Sequence, residues 1–133
     1  MKKTILLSGA NSSLAQGVVK ELIKKNNIIL IYRKNKPKYN FGKSCFYIKY
    51  DFTSNKDDIL SLANKINKKF KVSSILHFNG IHAFSTFKIA NNLKFRNIFD
   101  ANCLTFINLI KLCYYFNTVE CVTTISSVSS LEG

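Results

Sequence analysis

Lys3-Thr4-Ile5-Leu6-Leu7-Ser8-Gly9-Ala10-Asn11-Ser12-Ser13-Leu14-Ala15 is the stretch on which the fold turns. Lys3 to Ser8 is a short apolar run without alternation, the pattern of a strand buried on both faces. Ser8 to Ser13 is rich in small polar residues, as a tight turn requires. From about Ser12 to Lys25 the spacing becomes helical. Leu14, Val18 and Leu22 form one i, i+4 row, and Ala15, Val19 and Ile23 form the row beside it. A buried strand feeding an amphipathic helix through a small-residue turn opens a βαβ unit.

The rest of the chain continues the alternation. Asn26-Asn27 ends the helix, and Ile28 to Tyr32 reads as a second apolar strand. Arg33 to Ser44 is a Lys-rich loop holding the only proline, Pro37, and Cys45 to Tyr50 is a third strand. Ser54-Asn55-Lys56-Asp57 resembles a capping box, opening a helix with Ile59, Leu62, Ala63, Ile66 and Phe70 on its apolar face. Ser73 to Phe78 is a fourth strand, closed by an Asn79-Gly80 turn. A long helix is expected from about Asn92 to Asn117, with Phe95, Phe99, Phe106 and Ile110 among its apolar positions, and Val119 to Ser126 is a fifth strand. The expected fold class is α/β: one doubly wound parallel sheet of about five strands, covered on both faces and incomplete at its C-terminal side.

Composition supports one globular domain over residues 1–133. Hydrophobic types make up 47%, with 11 Phe and 6 Tyr, which excludes a disordered chain; 5 Gly and 1 Pro exclude collagen-like and linker-like sequences. The richest apolar stretch, Phe106 to Phe116, is too short for a membrane span and is interrupted by Asn108 and Lys111. Only Ile5-Leu6-Leu7 follows Lys2-Lys3, which is no signal peptide, so a cytoplasmic protein is expected. Cys45, Cys103, Cys113 and Cys121 form no Cys-x-x-Cys pair, and neither His77 nor His82 completes a zinc spacing. Four reduced cysteines, mostly packed as small apolar residues, and no metal site are expected.

The net charge of +13 could serve nucleic acid, an anionic membrane or an anionic small ligand. Of the 20 basic residues, only Arg33 and Arg96 are Arg, and the lysines are spread along the chain. Base readout favours clustered Arg, so nucleic acid is the weaker reading.

In a doubly wound sheet, ligands bind at the carboxyl ends of the strands where strand order reverses. The turn from Ser8 to Ala15 is placed there, and the N–H groups and dipole of the helix it opens favour a pyrophosphate. Arg33, with Lys34, lies just past the second strand, where an acid would bind a free ribose 2′-hydroxyl and a base suits a 2′-phosphate. Asp51 ends the third strand, where it is either an adenine-amine acceptor or a turn aspartate.

These elements, in this order, resemble the short-chain dehydrogenase/reductase family along essentially the whole chain. Ser8-Gly9-Ala10-Asn11-Ser12-Ser13-Leu14-Ala15 is similar to that family's Thr-Gly-x-x-x-Gly-x-Gly loop. Arg33 stands at its NADP-selecting basic position, and Asp51-Phe52-Thr53 resembles its Asp-Val-Thr element. His77-Phe78-Asn79-Gly80 is similar to Asn-Asn-Ala-Gly. Asp100-Ala101-Asn102 resembles the segment with the active-site Asn, and Ile125-Ser126-Ser127-Val128 the segment ending in the catalytic Ser. The resemblance implies a Rossmann-like fold and NADP in preference to NAD, held by Ser8, Gly9, Asn11, Ser12, Ser13, Leu14, Arg33, Asp51, Phe52, Asn79 and Gly80. It also implies hydride transfer between that cofactor and a small-molecule carbonyl or alcohol. Ser127 would bond the substrate oxygen, and Asn102 would hold a water in a proton relay.

The departures are specific. Ser13 and Ala15 replace two of the loop glycines, and His77-Phe78 replaces two asparagines. The family's Tyr-x-x-x-Lys helix follows the Ser127 loop and is not among these residues. Tyr32 to Lys36 and Tyr39 to Lys43 match the string by chance, at or beyond the end of the second strand. The expected function is therefore an NADP-linked oxidoreductase, present as a fragment inactive alone. The alternatives are a dinucleotide-binding module without turnover, or half of an assembly, and then a nucleic-acid binder using Tyr39, Phe41, Phe46 and Tyr47 among the lysines. A homo-oligomer paired through the helix around Asn102 is a further expectation.

Overall fold

The computed structural model describes residues 2–54, 58–81 and 91–125. Five strands form one sheet: β1 (Lys3–Ser8), β2 (Asn26–Tyr32), β3 (Cys45–Lys49), β4 (Val72–His77) and β5 (Cys121–Thr124). Their spatial order is β3-β2-β1-β4-β5, and every neighbouring pair is parallel. The chain therefore starts at the centre, builds outward to β3, then crosses to the other side of β1. Strand order reverses between β1 and β4, which opens a crevice at their carboxyl ends.

Side chains alternate between two cores, as the pleat dictates. Leu6, Ile29, Ile31, Val72 and Ile75 face α2 (Ile59–Asn67) and α4 (Thr105–Cys113), where Leu62, Ile66, Leu109 and Leu112 close the layer. Ile5, Leu7, Ile28 and Leu30 face the other way, onto Ala15 and Val19 of α1 (Ser13–Leu22). Beside α1 this second face is covered by Tyr39, Phe41 and Tyr47, from the 33–44 loop and β3, where a parallel crossover would ordinarily place a helix.

Several boundaries differ from the sequence reading. α1 ends at Leu22, and Asn26-Asn27 already belong to β2; the Asn26 side chain donates to the Leu22 carbonyl (2.9 Å), so it closes the helix from inside the next strand. Residues 55–57 of the expected capping box lie outside the described residues, and Asp58, at the N-cap of α2, makes no side-chain cap bond. Phe70 lies beyond α2 yet packs on Phe46, centroids 4.6 Å apart. The long helix is interrupted: α3 (Asn92–Phe99) passes through a π turn, Asp100–Leu104, into α4. Phe95 and Phe99 are exposed, and Leu14 on α1 is half exposed, since helical spacing marks an apolar stripe without saying what covers it. Cys45 is buried and Cys113 partly so, whereas Cys103 and Cys121 are exposed, which corrects the expectation of mostly packed thiols; all four are free. β5 pairs only with β4 among the described residues, and its four residues are exposed. No described helix is long and apolar enough to cross a membrane.

Candidate functional site

A cleft of about 340 Å³ opens at the carboxyl ends of the central strands. Four connections line it: Gly9 to Ser12 after β1, Arg33 to Asn35 after β2, Asp51 to Thr53 after β3, and Phe78 to Ile81 after β4. Ala101 of the π turn and Thr105 of α4 complete the wall.

The turn after β1 is shaped by Gly9. Its φ is +78°, which a side-chain-bearing residue rarely adopts, and a Cβ there would lie 2.5 Å from the Phe78 carbonyl carbon. Two backbone turns thus pack directly against each other. The Ser12 hydroxyl accepts from Ala15 N–H (3.0 Å) and caps α1. The Asn11 amide donates to the Asn35 carbonyl (2.7 Å), and Tyr39 Oη donates to the Ala10 carbonyl (2.7 Å).

Behind the cleft floor, Ser8 is fully buried, with its Oγ 2.9 Å from His77 Nδ1. Ser8 therefore joins two strand ends rather than facing the cleft. Burial lowers the His77 pKa and so favours the neutral ring, and its Nε2 has no partner among the described residues.

Asp51 Oδ1 accepts from the Thr53 N–H (2.9 Å) and hydroxyl (2.6 Å), an Asx-type turn, while its residue still borders the cleft. Asn108, buried on α4, donates to the Phe52 carbonyl (2.7 Å) and fixes that turn from below. The turn after β4 is clamped by Asn102. Its Oδ1 accepts from Ile81 N–H (3.1 Å), and its amide donates to the carbonyls of Ile81 and Ile98 (both 2.8 Å). A Cβ on Gly80 would come within 2.8 Å of Asn102 Oδ1, so the glycine makes room for the clamp. With both N–H groups and the oxygen engaged, the Asn102 side chain braces the turn after β4. π turns recur at functional sites, and this one places Ala101 in the cleft wall.

The cleft thus gathers Gly9, Asn11, Ser12, Arg33, Asp51, Phe52, Asn79 and Gly80 of the expected cofactor residues. Ser8 lies beneath it. Ser13 and Leu14 stand in the first turn of α1 outside its lining, with exposed side chains, and could reach an anion only through backbone N–H groups. Ser127 lies outside the described residues. Sequence reasoning missed Asn35, Ile81, Tyr39 and Asn108; each acts through backbone contact or a long-range bond that leaves no local pattern. Tyr32 ends a strand and Tyr39 sits in a loop, so neither Tyr-x-x-x-Lys string lies on a helix.

The donor set suits a dinucleotide. A glycine turn and a capped helix start line the same cleft as Arg33 and Lys34, and Asn79 Oδ1, buried and without a partner among the described residues, is an acceptor at its border. Among the described residues no group of His, Cys, Asp or Glu could hold a metal.

No family model matches the sequence, and no curated protein matches it. Solved structures do match. Aldohexose dehydrogenase of Thermoplasma acidophilum, ligand-free, superposes with a TM-score of 0.84 at 18% identity, covering 97% of this chain and 51% of that one. A short chain dehydrogenase of Leptospira borgpetersenii with bound NAD+ gives 0.73 at 19% identity, covering 86% and 45%. ElxO with NADP bound gives 0.81 at 21% identity, covering 100% and 58%. The chain spans about half the length of these structures, and over that span it has the Rossmann fold of the short-chain dehydrogenases/reductases.

Proposed function

We propose that this chain is the cofactor-binding part of a short-chain oxidoreductase that uses NADP in preference to NAD. The observation that carries the reading is the cleft at the β1/β4 reversal, where the Gly9–Ser12 turn and the exposed Arg33-Lys34 pair face one ligand space. Gly9 to Ser12 and the start of α1 receive the pyrophosphate through backbone N–H groups. Arg33 and Lys34 pair with the 2′-phosphate, for which a guanidinium fork is well matched. Asp51 and Phe52 would hold the adenine half, and Asn79, Gly80 and Ile81 would hold the nicotinamide half. When bound, the cofactor supplies the hydride exchanged with a carbonyl or alcohol carbon.

Ser127 orients the substrate oxygen, and Asn102 acts by holding Ile81 in place. None of these residues is a tyrosine-lysine acid/base pair, and general acid/base catalysis contributes ~10²–10⁴-fold. The roles proposed for these residues are therefore binding and orientation, and turnover needs a general acid/base besides them. Four cysteines without a disulfide suit the reducing cytosol.

Titration of the chain with NADPH and NADH, read by nucleotide fluorescence, tests the reading. Saturable binding that is tighter for NADPH, with the preference lost in Arg33→Ala, supports it. Equal or tighter NADH binding overturns the NADP preference. Binding of neither nucleotide to folded protein overturns the function.

A further inference from the structure

The 33–44 loop replaces a crossover helix, yet it is held at several points. Pro37 is buried midway along it, and proline fixes the local φ. Tyr39 and Phe41 pack on the α1-side core, their rings 5.4 Å apart. Tyr47 of β3 donates to the Tyr39 carbonyl, while Lys36 Nζ sits 4.4 Å from the Tyr47 ring centre. Two bonds then cross from the loop to the turn after β1: Tyr39 Oη to the Ala10 carbonyl and Asn11 Nδ2 to the Asn35 carbonyl, each 2.7 Å. Arg33 and Lys34 lie between the end of β2 and the bond at Asn35.

We infer that this loop is a strap that presets the spacing between the Arg33-Lys34 cations and the Gly9–Ser12 turn, with Tyr39, itself held by Tyr47, as the positioning residue that sets selectivity for a 2′-phosphorylated dinucleotide. The inference rests on the proposed cofactor reading and adds to it two tyrosines that lie outside the cleft lining. A free Lys-rich loop would lose side-chain and backbone entropy on closing over a phosphate; a strap already tied to the turn loses less. Burial raises the Tyr39 pKa to about 12, so its hydroxyl remains a donor across the working range. The rings interleaved with the lysines are partly buried: Tyr39, Phe41 and Tyr47 pack on the α1-side core, and Phe46 packs on Phe70.

The test is the ratio of NADPH to NADH affinity in wild type, Tyr39→Phe and Tyr47→Phe. Each variant removes one bond that holds the strap, worth about three- to tenfold in affinity if it is felt only on the 2′-phosphate side. The expected result is NADPH binding weakened by that factor, NADH binding unchanged within twofold, and a fallen ratio. Val19→Ala, in the core beneath α1, serves as a purely structural control: it lowers the melting midpoint and leaves the ratio alone. Should Tyr39→Phe fail to fold, Tyr47→Phe decides, since Tyr47 is only partly buried and its ring is retained. An unchanged ratio in folded variants overturns the strap while leaving the cofactor reading intact, as does an equal loss of both nucleotides. Wild-type protein that binds neither nucleotide overturns both.

Discussion

The turn after β1 and the turn after β4 lie back to back beneath the cleft, yet they are held in different ways. Gly9 to Ser12 is shaped by its own sequence: a left-handed glycine, then a serine that caps the helix it opens. Phe78 to Ile81 has no such local device. It is held by Asn102, which lies 21 residues downstream of Ile81 and reaches back with both ends of its amide. The first turn can therefore present backbone donors to a ligand, whereas the second presents a surface whose shape depends on a helix arriving in the right place. Where the two meet, at Gly9 and the Phe78 carbonyl, there is no space for a methyl group.

That contact predicts the largest effect. Gly9→Ala must take up a left-handed φ and separate the two turns, and the expected cost is about 3 kcal/mol of stability. Urea unfolding followed by circular dichroism checks it; a wild-type midpoint would show that the turns are not in contact. Next comes the clamp. Asn102→Ala leaves the Ile81 N–H and carbonyl without their partners, at about 1–3 kcal/mol. Gly80→Ala should act in the same direction by displacing Asn102 Oδ1, and the two losses should not add, because they break one device. Additive losses would mean that Gly80 and Asn102 act separately.

Ser12→Ala removes the cap of α1 and should cost about 1 kcal/mol, with Ser12→Asp restoring most of it. The smallest effect is a dependence on pH. His77 is buried neutral and its folded-state pKa is lowered, so the unfolded chain binds the proton more readily. The stability contributed by neutral His77 is complete above the unfolded value of about 6.5 and is lost as pH falls below it. Unfolding midpoints between pH 7.5 and 5.5 should decline in wild type and flatten in His77→Asn. An identical slope in both would remove His77 as the source.

The same contrast explains what could be read from the sequence. The strand-turn-helix of residues 3–15, the apolar strands and the loop at 33–44 are local patterns, and the structure has them close to where spacing places them. Gly9, Asn11, Ser12, Arg33, Asp51 and Asn79 were legible as cleft residues because they follow strand ends, which a parallel sheet brings to one edge. Three features were not legible. The Ser8–His77 bond spans 69 residues and the Asn108–Phe52 bond spans 56, and neither spacing carries a periodic signal. The π turn adds a residue to a helix whose hydrophobic rows look continuous. Exposure of Leu14, Phe95 and Phe99 depends on which neighbour covers an apolar stripe, and periodicity does not name the neighbour.

The central claim is that the cleft between these two turns is where a dinucleotide binds. Backbone amide shifts of isotope-labelled protein, recorded while NADPH is added, test it residue by residue. The account predicts saturable shifts concentrated at Gly9–Leu14, Arg33–Asn35, Asp51–Thr53 and Asn79–Ile81, with the lysine-rich face of α2 around Lys65 and Lys68 unmoved. Shifts centred on that α2 face, or none at all in a folded sample, would contradict it.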